Sequence, residues 1–267
     1  MKATAGLLEA IVARKRDEVS AAHAAIPLEE MKARAAAADP SRDFAGALRT
    51  GFAVIAEIKP ASPLTGKFRE RMNPAEAAGL ARRYEAGGSR ALSVLTDETF
   101  FGGGSDLLRA ARAAVPVPVL RKDFVLEPYQ VYETRAMGAD ALLLIAALLE
   151  PRMLRDLVAL CRDLEMGALV EVHSEEEIAA AVSAGARMMG INNRDLHTFI
   201  VDVDTTPRLR PRIPPGVLVV SESGIATPGD VARLRPHVDA VLVGTALMSS
   251  DDPTAAVRAL VNGRRMS

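Results

Sequence analysis

Charged side chains that can transfer protons follow several apolar runs of the sequence. Glu57 lies near the end of one run, Lys122 follows another, and Glu171 lies within a third. Carboxylates and an ammonium group in this combination suit general acid and general base chemistry. Each group alone could be a structural salt bridge, but burying several ionisable groups costs free energy that apolar side chains would save. The set of three therefore predicts a reaction site.

Eight short apolar runs alternate with Ala-rich helical segments and glycines. Their hydrophobicity is continuous, which is typical of parallel strands covered by helices on both faces. Asn73, Thr227 and Asp252 each precede a proline, as N-cap and first-turn pairs of helices do. The runs are residues 53–58, 91–95, 117–120, 141–145, 168–172, 188–191, 217–220 and 240–243. The pattern predicts a (βα)8 barrel, and an open doubly wound sheet is the competing architecture.

A barrel would bring the charged residues together, because the C-terminal ends of its strands surround one mouth. Residues two apart on a strand point the same way, so Glu57 and Lys59 are expected to share a face. Glu57, Lys122 and Glu171 should then face one another. Gly224 and Gly244 follow the seventh and eighth runs, where backbone N–H groups often bind phosphate in barrels. With Thr245 they predict a phosphate site, although both glycines could also be turn residues alone.

The first fifty residues differ in composition from the rest of the chain. Residues 1–50 are rich in Ala, Glu, Lys and Arg, with Pro27 and Pro40 as breaks, and are predicted to form two or three helices. No flexible linker follows them. We expect an N-terminal helical extension over 1–50 that packs on a barrel spanning 51–267, the whole chain forming a single domain.

Composition excludes several classes of function. The net charge of −1 lacks the basic excess of nonspecific nucleic-acid binding, so no nucleic-acid partner is expected. The longest apolar run, residues 141–149, is shorter than the roughly 18 residues that a membrane-spanning helix needs. The four scattered histidines form no metal-binding motif. The single cysteine, Cys161, and the absence of a signal-like N-terminus predict a cytoplasmic protein.

Several segments together resemble a known family. The segments AEIKPASP, LTDETFFGGG, PVLRKDF, LVEVHSEEE, GINNRDLHTF, VVSESGI and AVLVGTALM resemble, in order and spacing, those of the indole-3-glycerol-phosphate synthase family. The resemblance covers essentially the whole chain. It implies a (βα)8 lyase of tryptophan biosynthesis that closes the indole pyrrole ring of 1-(2-carboxyphenylamino)-1-deoxyribulose 5-phosphate, with loss of carbon dioxide and water. It implies no cofactor and no metal, and makes other tryptophan-pathway enzymes candidate partners.

The resemblance also implies a role for individual residues. Lys122 would be the general acid at the substrate ketone, Glu171 the general base for dehydration, and Glu57 an assisting carboxylate. Asn192 would hold the substrate hydroxyls and the region of its carboxylate. Lys59, with the backbone at Gly224, Gly244 and Thr245, would bind the phosphate. The other residues implied to line the pocket are Ser62, Arg194, Glu222 and Ser223, with Phe101 and Phe124 against the anthranilate ring.

The first loop after the first run departs from the family pattern. Pro60 stands where the family usually has Arg, and Leu64 and Thr65 replace its usual residues after Ser-Pro. Pro60 stiffens this loop and removes a positive charge from the mouth. Two other interpretations stay open on the sequence: a different phosphate-binding barrel enzyme, such as a sugar-phosphate isomerase or Schiff-base aldolase, and a ligand-binding barrel without catalysis.

Overall fold

Eight parallel strands close into a barrel in chain order, each paired with its sequence neighbours and the last with the first. The computed structural model describes residues 6–63, 66–69, 72–196 and 198–263, so Leu64 and Thr65 lie outside the described residues. The barrel strands are β1 (Ala53–Ile58), β2 (Ala91–Leu95), β3 (Val119–Lys122), β4 (Ala141–Ile145), β5 (Gly167–Val172), β6 (Met188–Asn192), β7 (Leu218–Glu222) and β8 (Ala240–Val243). The predicted (βα)8 architecture is confirmed.

Strand boundaries differ from the apolar runs where polar residues or prolines intervene. The third strand begins at Val119, not at residue 117, because Pro116 and Pro118 have no N–H group for the ladder. It ends at Lys122, and the seventh strand likewise continues to Glu222. The apolar pattern stopped before these charged residues, yet they are part of the sheet. Their side chains are therefore fixed by regular strand geometry.

Among the described residues, three helices precede the first strand, and each barrel strand is followed by at least one further helix. The helices are α1 (Leu7–Ala25), α2 (Leu28–Ala36), α3 (Phe44–Arg49), α4 (Pro74–Ala86), α5 (Glu98–Phe101), α6 (Ser105–Ala114), α7 (Pro128–Ala136), α8 (Pro151–Asp163), α9 (Glu175–Ser183), α10 (Thr205–Leu209), α11 (Pro228–Leu234), α12 (Thr245–Met248) and α13 (Pro253–Asn262). The side chains of Asn73, Thr227 and Asp252 cap α4, α11 and α13 as predicted. In the described part of the chain no helix is both long and apolar enough to cross a membrane.

Alternation along the strands fills the inside of the barrel in layers. Ala53 and Ile55 of β1 belong to the apolar cluster inside the barrel, and Glu57 is the next residue of that face. In the same way Leu169 precedes Glu171 and Val220 precedes Glu222. The interior is therefore apolar below and charged at the C-terminal mouth.

The N-terminal extension runs from the mouth of the barrel to its opposite end. Near the mouth, Lys15 of α1 pairs with Asp97 after β2 at 3.0 Å and with Asp123 after β3 at 2.9 Å. At the far end, Phe44 and Leu48 of α3 pack into the apolar cluster inside the barrel. The three helices agree with the predicted two or three. They close the bottom of the barrel and border its top.

A buried carboxylate joins the extension to the bottom rim. Asp140, directly before β4, accepts hydrogen bonds from the backbone N–H groups of Arg42 and Val119, both at 2.8 Å. It also forms an ion pair with Arg112 at 3.0 Å. A carboxylate this well paired stabilises the fold and is far from the mouth.

Candidate active site

A lysine between two carboxylates occupies the centre of the mouth. The Nζ atom of Lys122 donates hydrogen bonds to Glu171 at 3.0 Å and to Glu222 at 2.5 Å. Glu171 and Glu222 are 2% and 1% exposed, whereas 16% of the lysine side chain is exposed. The ammonium group is thus held by buried acids and remains accessible from the pocket.

Two glycines leave room for the carboxylates. A Cβ atom added at Gly190 of β6 would lie 2.0 Å from Oε1 of Glu222, and one at Gly244 would lie 2.3 Å from Oε1 of Glu57. Any other residue would displace these carboxylates. The sequence predicted a phosphate-binding role for Gly244, with a turn role as the alternative, and did not indicate this steric role.

The electrostatics of the cluster set its protonation. Burial lowers the pKa of Lys122, but the carboxylates of Glu171, Glu222 and Glu57 outweigh burial and raise the pKa above its ordinary value. Burial also raises the pKa of Glu222 to about 7, with the Glu171 and Glu57 charges acting in the same direction. Burial opposes ionisation of Glu171, yet Lys122, His173 and Asn192 outweigh it and lower that pKa. Lys122 is therefore an ammonium acid, and Glu222 titrates near neutrality.

Glu57 and Lys59 form a second ion pair beside the cluster. Their side chains approach to 3.3 Å, and Lys59 Nζ also donates a hydrogen bond to Thr245 Oγ1 at 3.3 Å. Ser93 donates a hydrogen bond to Glu57 at 3.4 Å. This pair connects the first strand to the start of α12. Lys59 is therefore near the predicted phosphate residues.

The loops after β6 and β7 provide the polar wall. Asn192 Oδ1 accepts a hydrogen bond from the backbone N–H of Arg194 at 3.0 Å, and the Arg194 guanidinium donates to the Phe199 carbonyl at 3.0 Å. Ser223 and Gly224 both have positive φ, 66° and 77°. A side chain at Gly224 would be strained by that φ. This turn is fixed by its backbone conformation.

Aromatic and aliphatic side chains form the opposite wall. The Phe101 and Phe124 rings lie 6.1 Å apart, centre to centre, at an interplanar angle of 36°. Leu7, Leu8 and Ile11 of α1 line the same pocket. An apolar slot beside buried charges suits a ligand with an aromatic ring at one end and an anion at the other.

All predicted site residues lie around one pocket. It is lined by the two lysines Lys59 and Lys122, the three glutamates Glu57, Glu171 and Glu222, and Ser62, Phe101, Phe124, Asn192, Arg194, Ser223, Gly224, Gly244 and Thr245. Two features were not predicted from the sequence: Glu222 as the nearest partner of Lys122, and the contribution of α1 to the pocket. The apolar face of α1 was the available signal for the second. Among the described residues no group of three or more His, Cys, Asp or Glu side chains could hold a metal.

Comparisons with known proteins agree on one family. The family model for indole-3-glycerol phosphate synthase matches residues 8–260. An indole-3-glycerol phosphate synthase of Aromatoleum aromaticum is 48% identical over 260 residues, covering 95% of this chain and 98% of the relative. One from Mycobacterium avium is 50% identical over 259 residues, covering 96% and 94%. The solved structure of 3-hexulose-6-phosphate synthase from Salmonella typhimurium has a TM-score of 0.65 at 13% identity, covering 79% of this chain and 97% of that one, and supports the fold alone.

Proposed function

The chain belongs to the indole-3-glycerol phosphate synthase family, and from that premise we propose how its barrel mouth divides the work of catalysis. The enzyme is a carboxy-lyase of tryptophan biosynthesis. It converts 1-(2-carboxyphenylamino)-1-deoxyribulose 5-phosphate to indole-3-glycerol phosphate by ring closure, decarboxylation and dehydration. The residue roles below are our proposal.

Lys122 protonates the ketone oxygen while the aromatic ring carbon attacks the ketone. The observation that carries this role is the position of its ammonium group, 3.0 Å from Glu171 and 2.5 Å from Glu222 inside the mouth. These acids keep the lysine charged. A charged amine can donate a proton but cannot attack a carbonyl, which favours acid catalysis over a Schiff base. A positioned acid of this kind contributes roughly 100-fold to 10,000-fold.

Glu171 acts as the base of the dehydration, and Glu57 assists. Loss of carbon dioxide restores the aromaticity of the benzene ring, and removal of a proton from the neighbouring carbon then forms the pyrrole ring. Glu171 is ionised beside Lys122, as a base must be. Asn192 forms a side-chain hydrogen bond with Glu171 and would hold the substrate hydroxyls and carboxylate region.

The two ends of the substrate are held on opposite walls. Lys59 and the backbone N–H groups at Gly224, Gly244 and Thr245 bind the phosphate. Thr245 begins α12, and first-turn N–H groups have no partner within their own helix. Phe101 and Phe124 contact the anthranilate ring. The other polar contacts come from the residues Ser62, Arg194, Glu222 and Ser223.

The organisation and location of the enzyme follow from less specific observations. The extension over 1–50 and the barrel over 51–267 act as one domain, supported by the Lys15 ion pairs at the mouth and by Phe44 at the bottom.

A cytoplasmic location is supported by the single cysteine, Cys161, whose burial raises its pKa to about 12 and leaves it an unreactive thiol. Other enzymes of tryptophan biosynthesis are the candidate partners.

Turnover of the carboxyphenylamino substrate tests the function. Purified protein mixed with it should give the fluorescent indole product and carbon dioxide in equal amounts. Inorganic phosphate should compete with the substrate, because both would bind at Lys59 and Thr245. The analogue that lacks the phosphate should show a raised KM. If no indole product formed at any of the substrate concentrations tested, the proposed function would be refuted.

A further inference from the structure

An imidazole at the end of β5 lies between the cluster and the surface. The Nε2 atom of His173 is buried and has no hydrogen-bond partner among the residues that the structure describes. It lies 3.5 Å from Oε1 of Glu171. The other ring nitrogen, Nδ1, lies 3.2 Å from Oε2 of Glu177, which also accepts the backbone N–H of His173 at 2.8 Å.

These contacts place a titratable ring between two carboxylates. Glu177, on α9, has 22% of its side chain exposed, whereas the His173 side chain is 12% exposed. On the other side of the ring, the second oxygen of Glu171 lies 3.0 Å from Lys122 Nζ. The 3.5 Å step is longer than a hydrogen bond, but such contacts often shorten when substrate binds.

The reaction needs a proton from outside the substrate. The ketone oxygen leaves as water and so gains two hydrogens. The methylene carbon beside the amine loses one hydrogen as it becomes aromatic, and the carboxylate leaves as carbon dioxide without a proton. One proton per turnover must therefore come from solvent.

We propose that His173 holds this proton and delivers it through Glu171 to Lys122. After Lys122 has protonated the ketone oxygen, the Nε2–H bond of the charged His173 ring breaks and an O–H bond forms on Glu171, which passes the proton to Lys122. The neutral ring keeps its proton at Nδ1, which faces Glu177, and regains one at Nε2 from solvent after the product has left the mouth. His173 thus acts through Glu171 and does not touch the substrate. This inference rests on the proposed function.

The charges around the imidazole suit a proton carrier. Burial lowers the pKa of His173, but the hydrogen bond to Glu177 and the charges of Glu171, Glu177 and Glu222 outweigh burial and raise the pKa above its ordinary value of 6.5. These contacts favour the charged ring, which can lose and regain a proton.

Chemical rescue of His173→Ala tests the relay. We expect kcat to fall roughly ten-fold or more, with KM nearly unchanged, because proton delivery and not substrate binding is lost. Millimolar imidazole in the assay should restore kcat, whereas a non-titrating salt of equal ionic strength should not. His237→Ala is the matched control, since His237 precedes β8 at the opposite end of the barrel, and it should behave as wild type.

The two assays separate a failure of the proposed function from a failure of the relay. A wild-type enzyme without turnover refutes the proposed function itself. A wild-type enzyme that turns over, with a His173→Ala variant that keeps more than about half of kcat, or loses activity that imidazole does not restore, refutes the relay. If that variant does not fold, Glu177→Gln decides: lowered kcat at unchanged KM supports the relay, and unchanged kcat refutes it.

Discussion

A single lysine and the acids around it determine the chemistry of the mouth. Lys122 is charged because three carboxylates outweigh its burial, and Glu222 keeps its proton to about pH 7 because burial and two neighbouring charges oppose its ionisation. With Glu222 ionised, the two ammonium groups of Lys122 and Lys59 would face three buried carboxylates. Ionisation of Glu222 therefore lowers the stability of the folded protein.

The Glu222→Gln variant should reveal this cost through the pH dependence of stability. The folded state raises the pKa of Glu222 from 4.5 to about 7, so its contribution to the free energy of unfolding is present below pH 4.5 and lost as pH rises through 7. Glutamine does not ionise, and the variant should gain stability relative to wild type between pH 4.5 and 7. Urea unfolding at several pH values measures this. The exposed Glu9→Gln is the control, and a pH-independent difference at Glu222 would contradict the account.

The sequence identified which side chains meet at the mouth but not how they pair. Glu57, Lys122 and Glu171 were predicted to face each other because they end or follow strands of one barrel. That Glu222 lies nearest to Lys122 depends on strand stagger and on the space left at Gly190, neither of which apolar patterning reports. The proton contacts of His173 were undetermined for the same reason.

At the scale of the elements, Gly190 of strand β6 leaves the space that the Glu222 carboxylate of strand β7 occupies. Gly190→Ala should lower turnover, up to roughly 100-fold, because the added Cβ displaces the Glu222 carboxylate from Lys122. Steady-state kinetics with a thermal melt would measure this. Gly79→Ala in α4 has open space around the new Cβ and should keep full activity. Its free energy of unfolding should rise by about 0.5–1 kcal/mol, because alanine favours the helix over glycine. Wild-type turnover of Gly190→Ala would show that the clearance is unimportant.

The buried side chain of Lys15 connects helix α1 to the mouth. Lys15 is 4% exposed and pairs with Asp97 and Asp123, so Lys15→Met removes a cation that two buried carboxylates share and should cost about 3–5 kcal/mol, although Asp123 keeps its ion pair with Arg121. KM should also rise, because α1 contributes Leu8 and Ile11 to the pocket. Urea unfolding and steady-state kinetics measure the two effects.

The neighbouring Arg14 provides the control for Lys15. Its ion pair with Glu18 is exposed, so Arg14→Met should change stability by less than about 1 kcal/mol and leave KM unchanged. Equal effects of the two substitutions would contradict a specific role for the buried pair. The sequence predicted helices here, but it could not predict that a lysine in the middle of α1 would be buried.

At the scale of the whole molecule, the barrel separates stability from chemistry along its axis. The apolar layers lie between a bottom rim fastened by Asp140 and a mouth that contains the charged cluster. The repeated apolar runs were enough to predict this architecture, because burial on both faces of each strand leaves a continuous signal. The strand ends were less predictable, because charged residues continue the ladder.

Asp140→Asn tests that separation. The uncharged amide would leave Arg112 without its ion-pair partner, so the free energy of unfolding should fall by about 3–5 kcal/mol. The kcat and KM values should stay at wild-type levels below the melting temperature, because Asp140 is at the end opposite the mouth. Altered KM with unchanged stability would be inconsistent with this division.

The turnover of Lys122→Met on the carboxyphenylamino substrate, measured together with substrate binding, tests whether Lys122 is the general acid. We expect turnover to fall by roughly 1,000-fold while binding remains detectable, because methionine fills the space but cannot donate a proton. Lys32→Met, on the exposed face of α2, should turn over as wild type. If the Lys122 variant kept more than about a tenth of wild-type turnover, Lys122 would not be the general acid.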